Sequence, residues 1–572
     1  MTYNARLLWG IKIMMRDGVR LNATGYFPDG TVGQRPCLLT LTPYISDRYH
    51  DRGMYFASLG YPFLILDVRG RGNSEGEFVP FVHDAADIYD AIEWLAGQSY
   101  CDGRVAMWGG SYAAYVQWAA AKECPPGLAT IVPASSPYLG LDFPMRGNIF
   151  LAFIIRWLTY TNGRAVQNNL FADESFWSGI YRRWHESGQP FETLDEWVGE
   201  RAQIFQEWIR HPEPDPYWDA LNPSPAQYAQ INCPILTITG AYDDDQCGAL
   251  EHYRRHLKDA PDKAKQQHYL VIGPWDHSGT RTPQADVGGV RFGPNSLVDI
   301  PKLHHEWYDW TMCQGPRPSF LEDRVAYYIM GADYWKYSDT LENTTDRMQS
   351  LFLDSHGGAN GLFSRGTLQS TPGGGGPDSY YYHPGETSGP EVSAEEQTTG
   401  GALTDQSVLL ALGNKALVYH SAPFPQDLEI AGFFRLSLWI SIDTPDTDFY
   451  VSIHEIALNG TSIRLGTDAL RARYRQSLRH PQLITTRDPL CYSFERFNFV
   501  ARQLKSGSRL RLVIAPMGRL SESTFAQKNY NGGGTVAAES SANARPVTVR
   551  VHHDAAHPSV LSVPIGRPNS FE

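Results

Sequence analysis

The chain contains no run of about 18 apolar residues, so no membrane-spanning helix is expected. It also lacks any cluster of Lys or Arg, and its formal net charge of −13 is spread over 572 residues. That balance argues against nucleic acid or anionic membrane as the main partner and leaves small neutral or cationic ligands open. Cys-x-x-Cys spacing is absent as well. The seven cysteines (Cys37, Cys101, Cys124, Cys233, Cys247, Cys313 and Cys491) are odd in number and scattered, which fits buried reduced thiols better than disulfides or a zinc site. From Met1 to Gly10 and onward, no basic segment leads into an apolar stretch with a small-residue cleavage site. A secretory signal is therefore not expected, and a cytoplasmic location is. Neither a metal nor another cofactor is expected.

What is present is the composition of a folded protein, with 42% hydrophobic and 19% charged residues in a length that suggests roughly three or four domain-sized units. Up to about residue 140, short apolar runs alternate with helical patterns. Cys37 to Pro43, Phe63 to Val68, Arg104 to Gly109 and Ala129 to Ala134 read as buried strands, while Ile88, Ala91, Ile92 and Leu95 recur at helical spacing. This alternation predicts an α/β fold with a mostly parallel sheet covered on both faces. Between about 150 and 220 the strand pattern gives way to Trp157, Trp177, Trp184, Trp197, Trp208 and Trp218 with interspersed charges, which reads as a helical insertion. Most of these aromatics are expected to fill the insertion's own core, with some roofing an apolar pocket. Strands resume at Pro234 to Gly240 and His268 to Gly273. From Arg324 onward, runs such as Val325 to Met330, Ser407 to Leu412, Phe433 to Ile440, Tyr450 to His454 and Arg509 to Ile514 read as the strands of an all-β region.

One segment carries a candidate nucleophile. Gly109-Gly110-Ser111-Tyr112 follows an apolar run and precedes an alanine-rich helical stretch, so Ser111 is expected on a sharp strand-to-helix turn at the carboxyl edge of the sheet. Ala113 stands where the usual GxSxG pattern has its last glycine. The backbone N–H of Tyr112, at the helix start, can face the negative oxygen of acyl transfer. A serine hydroxyl needs a base to take its proton and an acid to hold that base. In a doubly wound hydrolase sheet these follow in the order acid, then His, on loops after late strands. Asp243 after Pro234 to Gly240, and His277 after His268 to Pro274, fill the two places. Asp243 is preferred to its neighbours Asp244 and Asp245 because it lies nearest the strand end.

Several ordered motifs resemble the CocE/NonD acyl esterases, relatives of the X-Pro dipeptidyl-peptidases and the α-amino acid ester hydrolases. They include Met15 to Leu21, Thr42-Pro43-Tyr44, Asp67 to Gly76, Gly110-Ser111-Tyr112, Gly240 to Asp243, Gly273 to His277 and Met330 to Trp335, with Ala469 to Tyr474 extending the likeness toward the C-terminus. The resemblance implies that Tyr44 donates its hydroxyl to the oxyanion beside the Tyr112 amide. It also implies an α/β-hydrolase domain (1–141 and 226–335) with an inserted helical cap (142–225) and a C-terminal β jelly-roll domain (336–572). Family members often carry glycine at the position of Ala114, and the amine-recognising ester hydrolases a carboxylate; Ala114 cannot bind an ammonium. Ala241 replaces a tryptophan common before the acid.

The expected activity is that of a serine hydrolase cleaving a carboxylic ester, or an activated amide, of a small molecule through an acyl-enzyme on Ser111. Trp157, Trp177 and Asp245 are candidate substrate-binding residues. The alternatives are an aminopeptidase or α-amino acid ester or β-lactam acylase that anchors a free amine on Asp244, Asp245 or acids of the cap, and an inactive binding protein. Self-association into a homo-oligomer would be consistent with the jelly-roll edges and the aromatic cap.

Overall fold

The structure is a computed structural model that describes residues 4–30, 33–386, 403–517 and 526–568. Its N-terminal part is built on one ten-stranded sheet of β1 (Ala5–Met14), β2 (Arg20–Pro28), β3 (Arg35–Thr42), β4 (Phe63–Asp67), β5 (Cys101–Gly110), β6 (Leu128–Ala134), β7 (Ile235–Tyr242), β8 (His268–Asp276), β9 (Val325–Ile329) and β10 (Tyr334–Ser338). The spatial order is β1-β2-β4-β3-β5-β6-β7-β8-β9-β10. Strands from β4 to β9 run parallel, whereas β1, β2 and β10 pair antiparallel at the two edges. The edge hairpin β1–β2 has no counterpart in the expected strands. β1 is mostly exposed, with Trp9 in solvent, so it lacks the continuous apolar run by which a buried parallel strand is recognised.

Successive residues of the central strands feed two different cores, as the two-residue period of a strand requires. On one face Leu39, Val105 and Met107 pack with Ile88, Ile92 and Leu95 of α2 (Asp84–Ala96) and Val116, Ala119 and Ala120 of α3 (Tyr112–Glu123). On the other, Leu38, Ala106 and Trp108 pack with Phe56 of α1 (His50–Ser58) and with Leu303, Trp307 and Tyr308 of a late helix, Ile300–Cys313. The expected α/β-hydrolase domain is thus present. Short helices replace strands through most of the 153–228 segment. They include α4 (Phe153–Tyr160), α5 (Glu174–Ser187), which starts from the N-cap carboxylate of Asp173, and α6 (Gln203–Trp208). Their buried aromatics are continuous with the α2–α3 core, so these helices sit on the sheet domain and share its hydrophobic interior.

The C-terminal region is rich in β-strands, mostly paired antiparallel, around a separate core that includes Leu353, Leu438, Ile453, Leu512 and Val549. Two expectations are corrected here. The run from Val325 joins the main sheet as β9, parallel to β8, so the all-β region does not begin at Arg324. Ser407–Leu412 is a helix, because a six-residue apolar run is compatible with either state and this one ends at Gly413, whose φ of 52° breaks the chain direction.

One buried side chain stitches the two regions together. Gln246, at the start of α7 (Gln246–Asp259), accepts the Phe499 N–H at 2.5 Å and donates to the carbonyls of Phe499 at 3.2 Å and Gly240 at 2.8 Å. Gln246→Leu would leave these backbone groups buried and unpaired, at about 1–3 kcal/mol for each group that water cannot reach. The variant is expected to show a lower urea midpoint than the native chain; an unchanged midpoint would mean that the junction does not depend on this amide.

Candidate active site

Ser111 stands between β5 and α3 with φ 60° and ψ −125°, a conformation that costs a non-glycine residue about 1–3 kcal/mol. Its surroundings impose that geometry. Gly109 has φ 146°, and a Cβ there would lie 2.5 Å from the Cβ of Ala113, so strand and helix cross closely enough to admit one methyl group but not two. The Ser111 N–H is held by Ala134 O at 2.9 Å, and Ser111 O accepts from the amides of Ala114 and Tyr115. Beneath the turn, the buried amide of Gln117 donates to Gly109 O and Val132 O and accepts from Val132 N, tying the ends of β5 and β6 to α3.

The hydroxyl of Tyr44 lies beside the Ser111 side chain and accepts the indole N–H of Trp157 at 3.0 Å. Burial raises its pKa to about 12, so the phenol keeps its proton and can donate. The Asp67-to-Gly76 motif explains how Tyr44 is held. Asp67 accepts the Ser46 N–H at 2.7 Å, while the fully buried Arg71 donates to Pro43 O at 2.9 Å and to Asn162 O at 3.0 Å. Arg71 therefore fastens the Tyr44 turn on one side to the helical segment on the other. Gly72 has φ 51° and abuts the Asp67 carboxylate, leaving no room for a side chain.

β5 and β6 end together, Gly110 pairing with Ala134 and Ala134 with Ile238, while β7 and β8 run on past that level to the pair Tyr242 and Asp276. Asp243, just past β7, is fully buried and accepts from Thr239 Oγ1 at 2.8 Å, Asp245 N at 3.1 Å and His277 Nδ1 at 3.0 Å. Burial pushes its pKa up, but the bonds from His277 and Thr239 and the imidazole charge outweigh this and leave it below the usual carboxylate value. For His277, burial favours the neutral ring; the Asp243 hydrogen bond and the charges of Asp245 and Asp243 prevail and raise its pKa. The loop carrying His277 also reaches back toward the nucleophile's neighbours, with the Ser135 hydroxyl within 3.4 Å of His277 O.

Of the sequence-derived site residues, Ser111, Tyr44, Tyr112 and Trp157 lie together, and Asp243 pairs with His277. The Tyr112 side chain turns inward, where its hydroxyl donates to Asp84 at 2.6 Å and its ring stacks on Phe81, leaving only its backbone at the turn. Asp245 faces His277, with its carboxylate 3.6 Å from Nδ1. Asp244 is exposed and lies 3.7 Å from Arg146. Trp177 is not brought to the site: it is buried among Phe176 and Tyr181 and donates its N–H to Leu170 O, filling the helical layer. Sequence reasoning missed Asp142, a buried acid that accepts the amides of Tyr138 and Gly248 and feels the charge of Asp245; a lone Asp in an irregular segment gives no periodic signal. Elsewhere, His552, Asp554 and His557 in the β-rich region gather ligand atoms within 4.8 Å of one another, a spacing that could hold a metal ion although none was expected from the sequence.

A family model described as X-Pro dipeptidyl-peptidase (S15 family) matches residues 17–279, and one for the X-Pro dipeptidyl-peptidase C-terminal non-catalytic domain matches residues 320–562. The cocaine esterase of Rhodococcus sp. (strain MB1 Bresler) is 26% identical over 589 residues, spanning 97% of this chain and 98% of its own. Among solved structures, an α-amino acid ester hydrolase superposes with a TM-score of 0.83 at 21% identity, covering 98% of this chain and 97% of its own. A CocE/NonD family hydrolase from Staphylococcus aureus superposes with a TM-score of 0.68 at 16% identity, covering 98% and 93%. These two likenesses speak for the fold alone. The sheet domain and the β-rich domain answer in turn to the two X-Pro dipeptidyl-peptidase models, and with an esterase relative matching along its whole length the chain is a serine hydrolase of the esterase type.

Proposed function

We propose that the protein hydrolyses a carboxylic ester of a small molecule through an acyl-enzyme on Ser111. The observation that carries this reading is the strained Ser111 turn beside the protonated Tyr44 hydroxyl, with the bonded Asp243–His277 pair following two later parallel strands of the same sheet. With Nδ1 committed to Asp243, Nε2 is the ring nitrogen left to take the serine proton. Ser111 Oγ attacks the carbonyl carbon, and the resulting oxyanion is held by the Tyr44 O–H and the Tyr112 N–H. His277 then passes its proton to the departing alcohol. Water, deprotonated in turn by His277, attacks the acyl-enzyme and releases the acid and Ser111. Asp243 keeps the imidazole oriented and stabilises its charged form.

The ester reading is kept over the amine-anchoring one because its candidate anchors are engaged elsewhere. Asp244 lies beside Arg146, and Asp245 faces His277. Burial raises the Asp245 pKa, which weakens it further as a fixed counter-charge for an ammonium.

These contacts make predictions of two kinds, the first on rate. Ser111→Ala is expected to abolish turnover of an aryl ester and labelling by a fluorophosphonate. Tyr44→Phe is expected to lose about a hundred- to thousandfold in kcat, the usual effect of one oxyanion donor. Because Tyr44→Phe also strips the Trp157 N–H of its acceptor, the rate is to be read beside a circular dichroism spectrum. Wild-type kcat in a folded Tyr44→Phe variant would remove Tyr44 from the oxyanion hole. The second concerns pH. His277 acts as base only when neutral, and its folded-state pKa is raised, so the acid limb of kcat/KM is expected to fall above the ordinary histidine value of about 6.5. Asp245→Asn removes one charge that raises it and is expected to move that limb to lower pH. A limb that stays in place would show that Asp245 does not act on His277.

A further inference from the structure

The loop after His277 brings a cation to the nucleophile's neighbour. Arg281 sits in a turn closed by its N–H on Ser278 O at 3.1 Å. Its guanidinium lies against Gly110, the residue before Ser111, so closely that a Cβ at 110 would overlap Nη1, Cδ and Cζ. The side chain thus fills the space that a residue other than glycine would occupy beside the serine. Its Nη1 is buried and has no hydrogen-bond partner, and the structure gives Arg281 no ion pair among the described residues. Its charge is felt at His277.

A second arginine stands behind the first. Arg52 on α1 donates Nη2 to Arg281 O at 2.9 Å and lies over the Trp108 ring at 5.9 Å, also without an ion pair among the described residues. Arg69 is answered by Asp87, Arg471 by Asp448 and Arg502 by Glu455, whereas the fully buried Arg71 is held by backbone carbonyls that tie two segments together. A buried guanidinium N–H facing no acceptor is unfavourable unless a ligand supplies one, and a planar carboxylate is the group that a guanidinium fork fits best.

We propose that Arg281, backed by Arg52, forms an anion subsite beside Ser111 that takes a carboxylate carried by the alcohol half of the ester. The alcohol half is assigned because Arg281 belongs to the loop of His277, the group that protonates the leaving oxygen. This inference rests on the proposed roles of Ser111 and His277.

The test compares kcat/KM for 3-acetoxybenzoate, its uncharged methyl ester, and the monophenyl ester of terephthalic acid, which carries the carboxylate in the acyl half. The wild-type chain is expected to favour 3-acetoxybenzoate over its methyl ester by about ten- to hundredfold, the range of one charge-assisted contact. Arg281→Met is expected to erase that ratio and Arg281→Lys to keep part of it, each variant being measured against its own rate on the methyl ester. A wild-type ratio near one, a ratio unchanged in folded Arg281→Met, or a preference for the acyl-half acid would overturn the subsite. Ser111→Ala separates the two levels. If it cleaves the methyl ester at the wild-type rate, the reading of the nucleophile fails; if it is inactive while the native enzyme ignores charge, only the subsite fails.

Discussion

Everything at the candidate site depends on how closely β5 and α3 cross at Gly109 and Ala113. The turn that exposes Ser111 places a serine in a backbone region natural to glycine, and such strain persists only where surrounding contacts over-determine it. Here they do. Ser111 is held through its own N–H and C=O, while Gln117 fixes strand and helix to each other from below. The one-methyl tolerance at Ala113 also explains why a pattern normally written with glycine survives an alanine: the neighbouring position 109, rather than 113, is the one with no room to give.

Around that turn, buried charge does positioning work beyond the three residues of acyl chemistry. Asp67 and Arg71 face the segment that presents Tyr44, and Arg71 reaches into the helical insertion, so Tyr44 and the insertion share one support. Arg69 is held by Asp87 and Asp17 in the same way, locking the motif to α2 and to the turn between β1 and β2. Asp84, whose pKa burial raises to about 7, receives the Tyr112 hydroxyl and steadies the first residue of α3. Each of these groups is costly to bury alone and acceptable when bonded. Loss of one partner should therefore be felt at the site through the segments it holds.

Ser111, Asp243 and His277 were legible because each follows an apolar run in a fixed chain order, a one-dimensional signature of a parallel sheet with its functional loops at one edge. Tyr44 was not legible in that way; an aromatic at a strand end has many ordinary uses, and family resemblance alone singled it out. Trp157 and Trp177 show the limit of composition. Both are buried tryptophans on neighbouring helices, yet one bonds Tyr44 and the other Leu170 O, a difference set by helix packing rather than by either residue's sequence context. The helix at Ser407–Leu412 and the edge hairpin β1–β2 were misread or missed because short apolar runs are ambiguous and exposed edge strands carry little hydrophobic signal.

Net charge misleads in a related way. A chain of formal charge −13 suggests neutral or cationic ligands, but that sum is distributed over the whole surface and is screened beyond about 8–10 Å at physiological ionic strength. What a bound ligand meets is the local set of groups. There the acids are committed, Asp243 and Asp245 to His277, while among the described residues Arg281 makes no ion pair and has a buried nitrogen without a partner. Charges whose partners are already in place alter a site's pKa values, whereas an unpaired buried charge alters what the site can bind. By that distinction an acidic protein can hold an unpaired cation beside Ser111, and only the fold reveals it.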